Sequence, residues 1–121
     1  MLFVEYPKCG TCRKAKKWLD DRGIAYEDRN IKEDKPAEAK LRLWREKSGI
    51  EPRKFFNTSG LLYKSMNLKD RLSGMTEDEM FSLLASDGML VKRPVLVTDH
   101  AVLVGFREAD WEKALGADRS E

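Results

Sequence analysis

Histidine and cysteine are scarce in this 121-residue chain, which has one His and two Cys. A zinc site needs about four ligands. His100 stands far along the chain from Cys9 and Cys12, so no resident metal is expected. A structural disulfide between Cys9 and Cys12 would close almost no loop and would add little stability through chain entropy. Long hydrophobic runs are also missing: nothing approaches the ~20 residues needed to span a membrane. The opening Met1-Leu2-Phe3-Val4-Glu5-Tyr6 is too short and too acidic for a secretory signal, so a cytoplasmic protein without membrane contact is expected. Neither charge dominates: 23 basic and 21 acidic side chains leave a net charge of +2. A broad nucleic-acid-binding face needs clustered positive charge, so no direct nucleic-acid partner is expected.

The chain carries no internal repeat, low-complexity tract or linker, and its length suits one domain over residues 1–121. Leu2 to Tyr6 is an apolar run suited to a buried strand, broken by Pro7-Lys8-Cys9-Gly10. From about Thr11 to Arg22 the period becomes helical. Cys12, Ala15, Trp18 and Leu19 take the inner face, while Arg13, Lys14, Lys16 and Lys17 face water. Gly23 is a natural stop. Ala25 to Ile31 reads as a second strand, polar enough for a sheet edge, and a right-handed crossover would make the two strands parallel.

A helix opening near Asp34 and Pro36 should turn Ala37, Leu41 and Trp44 inward and end at Gly49. Phe55-Phe56 and Leu61-Leu62-Tyr63 are expected to pin the next stretch. Thr76-x-x-Glu79 is a capping box. It opens a helix with Met80, Leu83 and Leu84 inward and Gly88 beyond its end. Val95 to Thr98 and Ala101 to Val104 flank Asp99-His100 as a hairpin. Trp111 and Leu115 mark a last helix. The order β-α-β, helices, β-β-α predicts an α/β fold. Its sheet is a thioredoxin-like mixed one of four strands with helices on both faces, and a helical insert of about 60 residues, longer than an ordinary crossover, lies between strands two and three.

Cys9 falls at the predicted strand-to-helix junction. Unpaired amides and the positive end of the helix dipole stabilise a thiolate there, lowering its pKa below the ~8.5 of a free thiol. Lys8 and Arg13 add positive charge. Gly10 permits a tight turn and close approach of substrate. The amides around Gly10 and Thr11 would hold an oxyanion. Cys9 is thus the candidate nucleophile. Cys12, one turn later and inward, is the candidate resolving thiol that attacks a mixed disulfide on Cys9. Pro94 opens the strand opposite this motif, with Arg93 before it. Taken alone, the pair fits an ordinary proline opening a strand beside a solvated Lys92-Arg93.

These residues resemble a known family. Tyr6-Pro7-Lys8-Cys9-Gly10-Thr11-Cys12-Arg13-Lys14-Ala15, Phe55-Phe56-Asn57-Thr58-Ser59-Gly60, Met89 to Val97 and Val104-Gly105-Phe106 are similar to the ArsC/Spx family. This family takes in glutaredoxin-coupled arsenate reductases and Spx-type regulators. The resemblance covers essentially the whole chain. It implies a cis bond before Pro94, the reductase nucleophile position for Cys9, and an oxyanion contact for Arg93. It also implies a metal-free reaction on a small oxyanion or disulfide substrate, without a bound cofactor. Reducing equivalents would come from glutathione and glutaredoxin, thioredoxin or another dithiol. The Spx branch implies instead a redox switch that binds the RNA polymerase alpha subunit. The reductases commonly lack a cysteine where Cys12 stands, whereas the Spx branch carries the pair. The reductases also use an arginine near the position of Asn57 to Ser59, and here no arginine occurs from Lys54 to Asp70. Arg107 lies near the place of another. Spx-type proteins carry a longer basic tail than the six residues after Leu115. The sequence therefore predicts a thiol–disulfide oxidoreductase, with the regulator as the alternative.

Overall fold

The computed structural model describes residues 1–118, and the side chains of residues 1–116. Of the tail after Leu115, Arg119-Ser120-Glu121 lies outside the described residues. The chain forms two compact units. One joins the first 30 residues to the stretch from Arg93 onward; the other is Ile31–Lys92.

The first unit holds a four-stranded sheet in the order β2-β1-β3-β4. Its strands are β1 (Leu2–Glu5), β2 (Glu27–Asn30), β3 (Val95–Val97) and β4 (Val102–Val104). β1 and β2 are parallel, with Leu2 opposite Glu27. β1 and β3 are antiparallel, with Val4 opposite Val95, and β3 and β4 close the hairpin. The polar strand Glu-Asp-Arg-Asn takes the edge, where one face and one ladder remain open to water. The hairpin turn is held by a side chain: the Thr98 hydroxyl accepts from the amides of His100 (3.1 Å) and Ala101 (2.9 Å). That explains why Asp99-His100 turns without the usual glycine.

Helix α1 (Gly10–Asp21) buries Cys12, Ala15, Trp18 and Leu19. Helix α6 (Glu108–Asp118) follows the hairpin. Phe3 and Leu96 face each other across the β1–β3 ladder. They share one core with Ala15, Trp18, Leu19, Trp111 and Leu115, so α1 and α6 cover the same sheet face rather than one face each. Perpendicular ring contacts bind this layer, among them Trp18–Trp111 at 5.8 Å and Phe106–Trp111 at 4.8 Å. The Trp111 indole donates to the Gly105 carbonyl at 3.1 Å.

Lys16 departs from expectation. It is not simply solvated. Its ammonium sits 2.7 Å from Asp28 on β2 and 3.7 Å from Glu5 on β1, so the charge helps hold α1 to the two parallel strands.

The second unit contains helices α2 (Glu38–Ser48), α3 (Leu61–Ser65), α4 (Leu68–Arg71) and α5 (Glu77–Ser86). Three 3₁₀ turns, Pro52–Phe55, Leu72–Gly74 and Gly88–Leu90, lie between and after them. Leu41, Trp44, Phe55, Phe56, Leu68, Leu72, Phe81, Leu84, Leu90 and Val91 are buried in it. The capping box forms in full: Glu79 N–H donates to the Thr76 hydroxyl, and Thr76 N–H to the Glu79 carboxylate. Gly49 closes α2 in the left-handed region at φ +73°.

Four expected inner positions are corrected. Ala37 is the exposed N-cap of α2, because the helix starts at Glu38 rather than near Asp34 and Pro36. Leu61 is 86% exposed, and Leu68 is the anchor of that stretch. On α5, Phe81 and Leu84 are buried, while Met80 and Leu83 are only half-buried.

Gly88 is fixed by space rather than by conformation. A Cβ there would meet the carbonyl oxygen of Ile31, with the Lys35 Cβ at 3.3 Å. Backbone cannot yield as a flexible side chain does. Gly88→Ala is therefore expected to lower unfolding stability by about 1–3 kcal/mol or more, read as a reduced urea midpoint at unchanged slope. An unchanged midpoint would show that the Ile31 segment moves aside at no cost.

Candidate functional site

The site is built where β1 runs into α1. Cys9 is the N-cap of α1, extended at φ −86° and ψ 124°. Its own amide donates to the Tyr6 carbonyl at 2.9 Å, closing the turn through Pro7 and Lys8. Its carbonyl accepts from Arg13 N–H at 3.0 Å, starting the helical ladder. The sulfur therefore stands over the free amides of the first turn. Cys9 is half-buried, Cys12 is fully buried, and both are free thiols.

The two thiols are driven in opposite directions. Burial opposes ionisation of Cys9, yet its pKa is held below the ordinary thiol value. The amide and thiol of Cys12, the charge of Arg93 and the amide of Thr11 together outweigh the burial. No N-cap hydrogen bond is drawn to the neutral thiol, so the amides act chiefly on the charged form. Burial pushes the Cys12 thiol up to about 12, against an opposing contribution from the backbone of Tyr6. The Cys9 sulfur adds to the rise, both as hydrogen-bond partner and as charge. One sulfur is thus easier to ionise than an ordinary thiol, and the other, beside it, is harder to ionise.

The source of the supporting charge differs from expectation. Lys8 and Arg13 are exposed and are not among the principal influences on Cys9; Arg93 is. Arg13 reaches back instead, donating to the Lys8 carbonyl at 3.4 Å. It braces the loop that carries Cys9. Arg107 is exposed, and its carbonyl accepts from Trp111 N–H at the start of α6. Gly10 is the first helical residue. It has no positive φ, and a Cβ there would enter open space. Its value is the uncovered approach beside Cys9 rather than a tight turn.

Arg93 is placed by the sheet. The Arg93–Pro94 bond is cis. Pro94 is buried, and its carbonyl accepts from Gly105 N–H at 2.7 Å. Val95 then pairs with Val4 of β1 and Val104 of β4. Arg93 is thereby fixed at the start of the strand beside β1, the strand that leads to Cys9. Its guanidinium lies over the Tyr6 ring at 5.2 Å. Lys8, Cys9, Gly10, Thr11, Cys12, Arg13, Arg93 and Pro94 all lie in the sheet unit.

With this geometry in place, comparison with known proteins is direct. The chain matches the ArsC family model over residues 4–114. This protein belongs to the ArsC family. It is 50% identical over 113 residues to YusI of Bacillus subtilis, covering 93% of this chain and 96% of that one. The regulatory protein MgsR of the same organism is 29% identical, over 93% of this chain and 88% of MgsR. Among solved structures, a putative ArsC family related protein from Bacteroides fragilis superposes with a TM-score of 0.91 at 51% identity, covering 93% and 94% of the two chains. A possible arsenate reductase from Streptococcus mutans gives 0.82 at 48%, covering 92% and 96%. The ArsC family thus holds both reductase-like and regulator relatives of this chain, and the thioredoxin-like sheet with its helical insert is the fold they share.

Two polar residues escape a sequence reading, and one of them, Tyr6, belongs to the site. Glu5 looks like part of an apolar strand, but it is 2% exposed and paired with Lys16. Burial, with Asp28 close by, raises its carboxyl pKa against the pull of Lys16. The alternation Phe3, Glu5 on one strand face was the available signal. Tyr6 looks like the end of the strand, yet it touches both cysteines and Arg93.

Cys9 is expected to alkylate with a pH midpoint below the ~8.5 of a free thiol. Cys12 should stay unmodified below pH 9 in the folded chain. Iodoacetamide labelling across pH, read by peptide mass, checks this. A Cys9 midpoint at or above the free-thiol value would contradict the described electrostatics.

Proposed function

We propose that this ArsC-family protein is a cytoplasmic thiol–disulfide oxidoreductase that reduces a disulfide, with Cys9 as the attacking thiolate and Cys12 as the resolving thiol. The observation that carries this reading is the opposite displacement of the two pKa values. A free thiol at neutral pH is only a few per cent ionised. Lowering one pKa supplies a nucleophile, and raising the other keeps the second thiol from competing for the substrate.

The steps balance. The Cys9 thiolate attacks one sulfur of the substrate disulfide. A bond forms from Cys9 Sγ to that sulfur, the old S–S bond breaks, and the departing thiolate takes a proton from solvent. Cys9 is then neutral, so the charge and hydrogen bond that helped to raise Cys12 are gone. Cys12 loses its proton and attacks Cys9 Sγ. The second substrate thiol leaves, and a Cys9–Cys12 disulfide remains. The substrate gains two electrons and the protein loses two. Glutathione with glutaredoxin, thioredoxin or another dithiol would restore the pair.

Disulfide is favoured over arsenate on charge grounds. A multiply charged oxyanion calls for paired, charge-assisted contacts. The cation that acts on Cys9 is Arg93, and Lys8, Arg13 and Arg107 are not its principal partners. The similarity to MgsR supports a second reading. There the same Cys9–Cys12 pair would report oxidation to a protein partner such as the RNA polymerase alpha subunit, without turnover.

Cys9→Ser should cut reduction of a small disulfide by at least about a hundredfold. Cys12→Ser should still make the first attack and accumulate one mixed disulfide per chain, visible by intact mass. Its turnover should then depend on added monothiol. If both variants retain the wild-type rate, the enzymatic reading fails. A wild-type chain that cycles between dithiol and disulfide with no turnover, yet binds polymerase alpha in one redox state only, would favour the regulator.

A further inference from the structure

Tyr6 has no part in the electron transfer just described, yet the site converges on it. Its carbonyl accepts the Cys9 amide at 2.9 Å. Its backbone acts on the Cys12 sulfur. Its ring carries the Arg93 guanidinium, with Cζ 5.2 Å from the centroid. These contacts come from one residue at the end of β1, whose main chain is fixed by the strand and by the turn into α1. Arg93 has a long side chain with many rotamers, and ordering it costs conformational entropy. A flat aromatic face beside it limits that freedom and adds cation–π attraction. The Tyr6 ring is thus one of the contacts that set where the Arg93 guanidinium stands, and Arg93 acts on Cys9.

We propose that Tyr6 is a positioning residue whose ring holds the Arg93 guanidinium within reach of Cys9 and so tunes the site toward anionic substrates, in particular disulfides that bear carboxylates near the scissile bond. The inference rests on the reading of Cys9 as the attacking thiolate and adds a substrate class to it. The phenol hydroxyl plays no part; the ring face does.

The test uses two alkylating agents of similar size and different charge. Iodoacetate is an anion and iodoacetamide is neutral. The ratio of their rate constants at Cys9, measured at a pH where Cys9 is ionised in each variant, reports the cation beside the sulfur and cancels general changes in thiol reactivity. Tyr6→Leu should lower the iodoacetate-to-iodoacetamide ratio by about two- to fivefold, and Tyr6→Phe should keep the wild-type ratio. Arg93→Gln should lower it at least as far as Tyr6→Leu does. Adding Tyr6→Leu to Arg93→Gln should then change nothing more. Tyr6→Thr replaces Tyr6→Leu if circular dichroism shows the latter unfolded, since a β-branched residue suits the strand end.

An unchanged ratio in Tyr6→Leu or Tyr6→Thr overturns the proposal. So does an equal fall when either substitution is made in the Arg93→Gln background, because the effect would not pass through Arg93. The pH midpoint of wild-type Cys9 tests the thiolate reading separately, so the two ideas fail on different measurements.

Discussion

A single sulfur at the N-cap of α1 is the constraint around which the sheet unit is organised. A helix must begin somewhere, and its first amides have no carbonyl partners within the helix. Here the N-cap residue is Cys9 rather than the usual Ser, Thr, Asp or Asn. A thiol is a weak acceptor and a thiolate a far better one. The unmet hydrogen-bonding capacity of the helix start therefore goes into holding a negative charge on sulfur. The helix does without a neutral cap, which suits the role proposed for Cys9 as the attacking thiolate.

That arrangement works only if the neighbouring sulfur behaves differently. Cys12 lies one turn on, and the same helical period that places Ala15 and Leu19 in the core turns it inward. The positions of Cys9 and Cys12 on one helix thus decide their chemistry. The residue at the cap meets amides and solvent; the residue a turn later meets apolar side chains. Spacing three apart keeps them within reach of each other while giving them opposed environments. Arg93 enters from a distant part of the sequence because the antiparallel β1–β3 ladder sets Val95 against Val4. Sheet register, rather than local sequence, delivers the cation.

That division also separates what the sequence discloses from what it hides. The β-α-β unit, the hairpin, the capping box at Thr76 and the helix start at Cys9 all follow from local rules of period, caps and turns, and all are present. Residues whose role depends on a partner far along the chain were less legible. Lys16 looks solvated until β2 brings Asp28 to it. Lys8 and Arg13 are close to Cys9 in sequence, so they were the natural choice for its supporting charge, yet a long exposed side chain next door is free to point away. On α5, counting from Met80 gave Leu83 and Leu84, but the buried face runs through Phe81 and Leu84. Two adjacent apolar stripes compete there, and only packing decides between them. Leu61 failed for a related reason: apolar character alone does not say that a short helix turns that residue inward.

The supply of positive charge also bears on which electrophile would suit the site. Nucleophilic attack on a disulfide disperses one negative charge along three sulfurs in a line, and it asks for little beyond a stabilised thiolate and an open approach. The half-buried Cys9 and the uncovered Gly10 supply both. Attack on a tetrahedral oxyanion asks for more, because two or more charges must shed water before sulfur reaches the central atom, and each needs a replacement donor. One guanidinium and the amides of a single helix turn supply about one and a half units of positive charge. With Arg93 as the cation that acts on Cys9 among the described residues, the proposed attack on sulfur asks less of this site than attack on an oxyanion would.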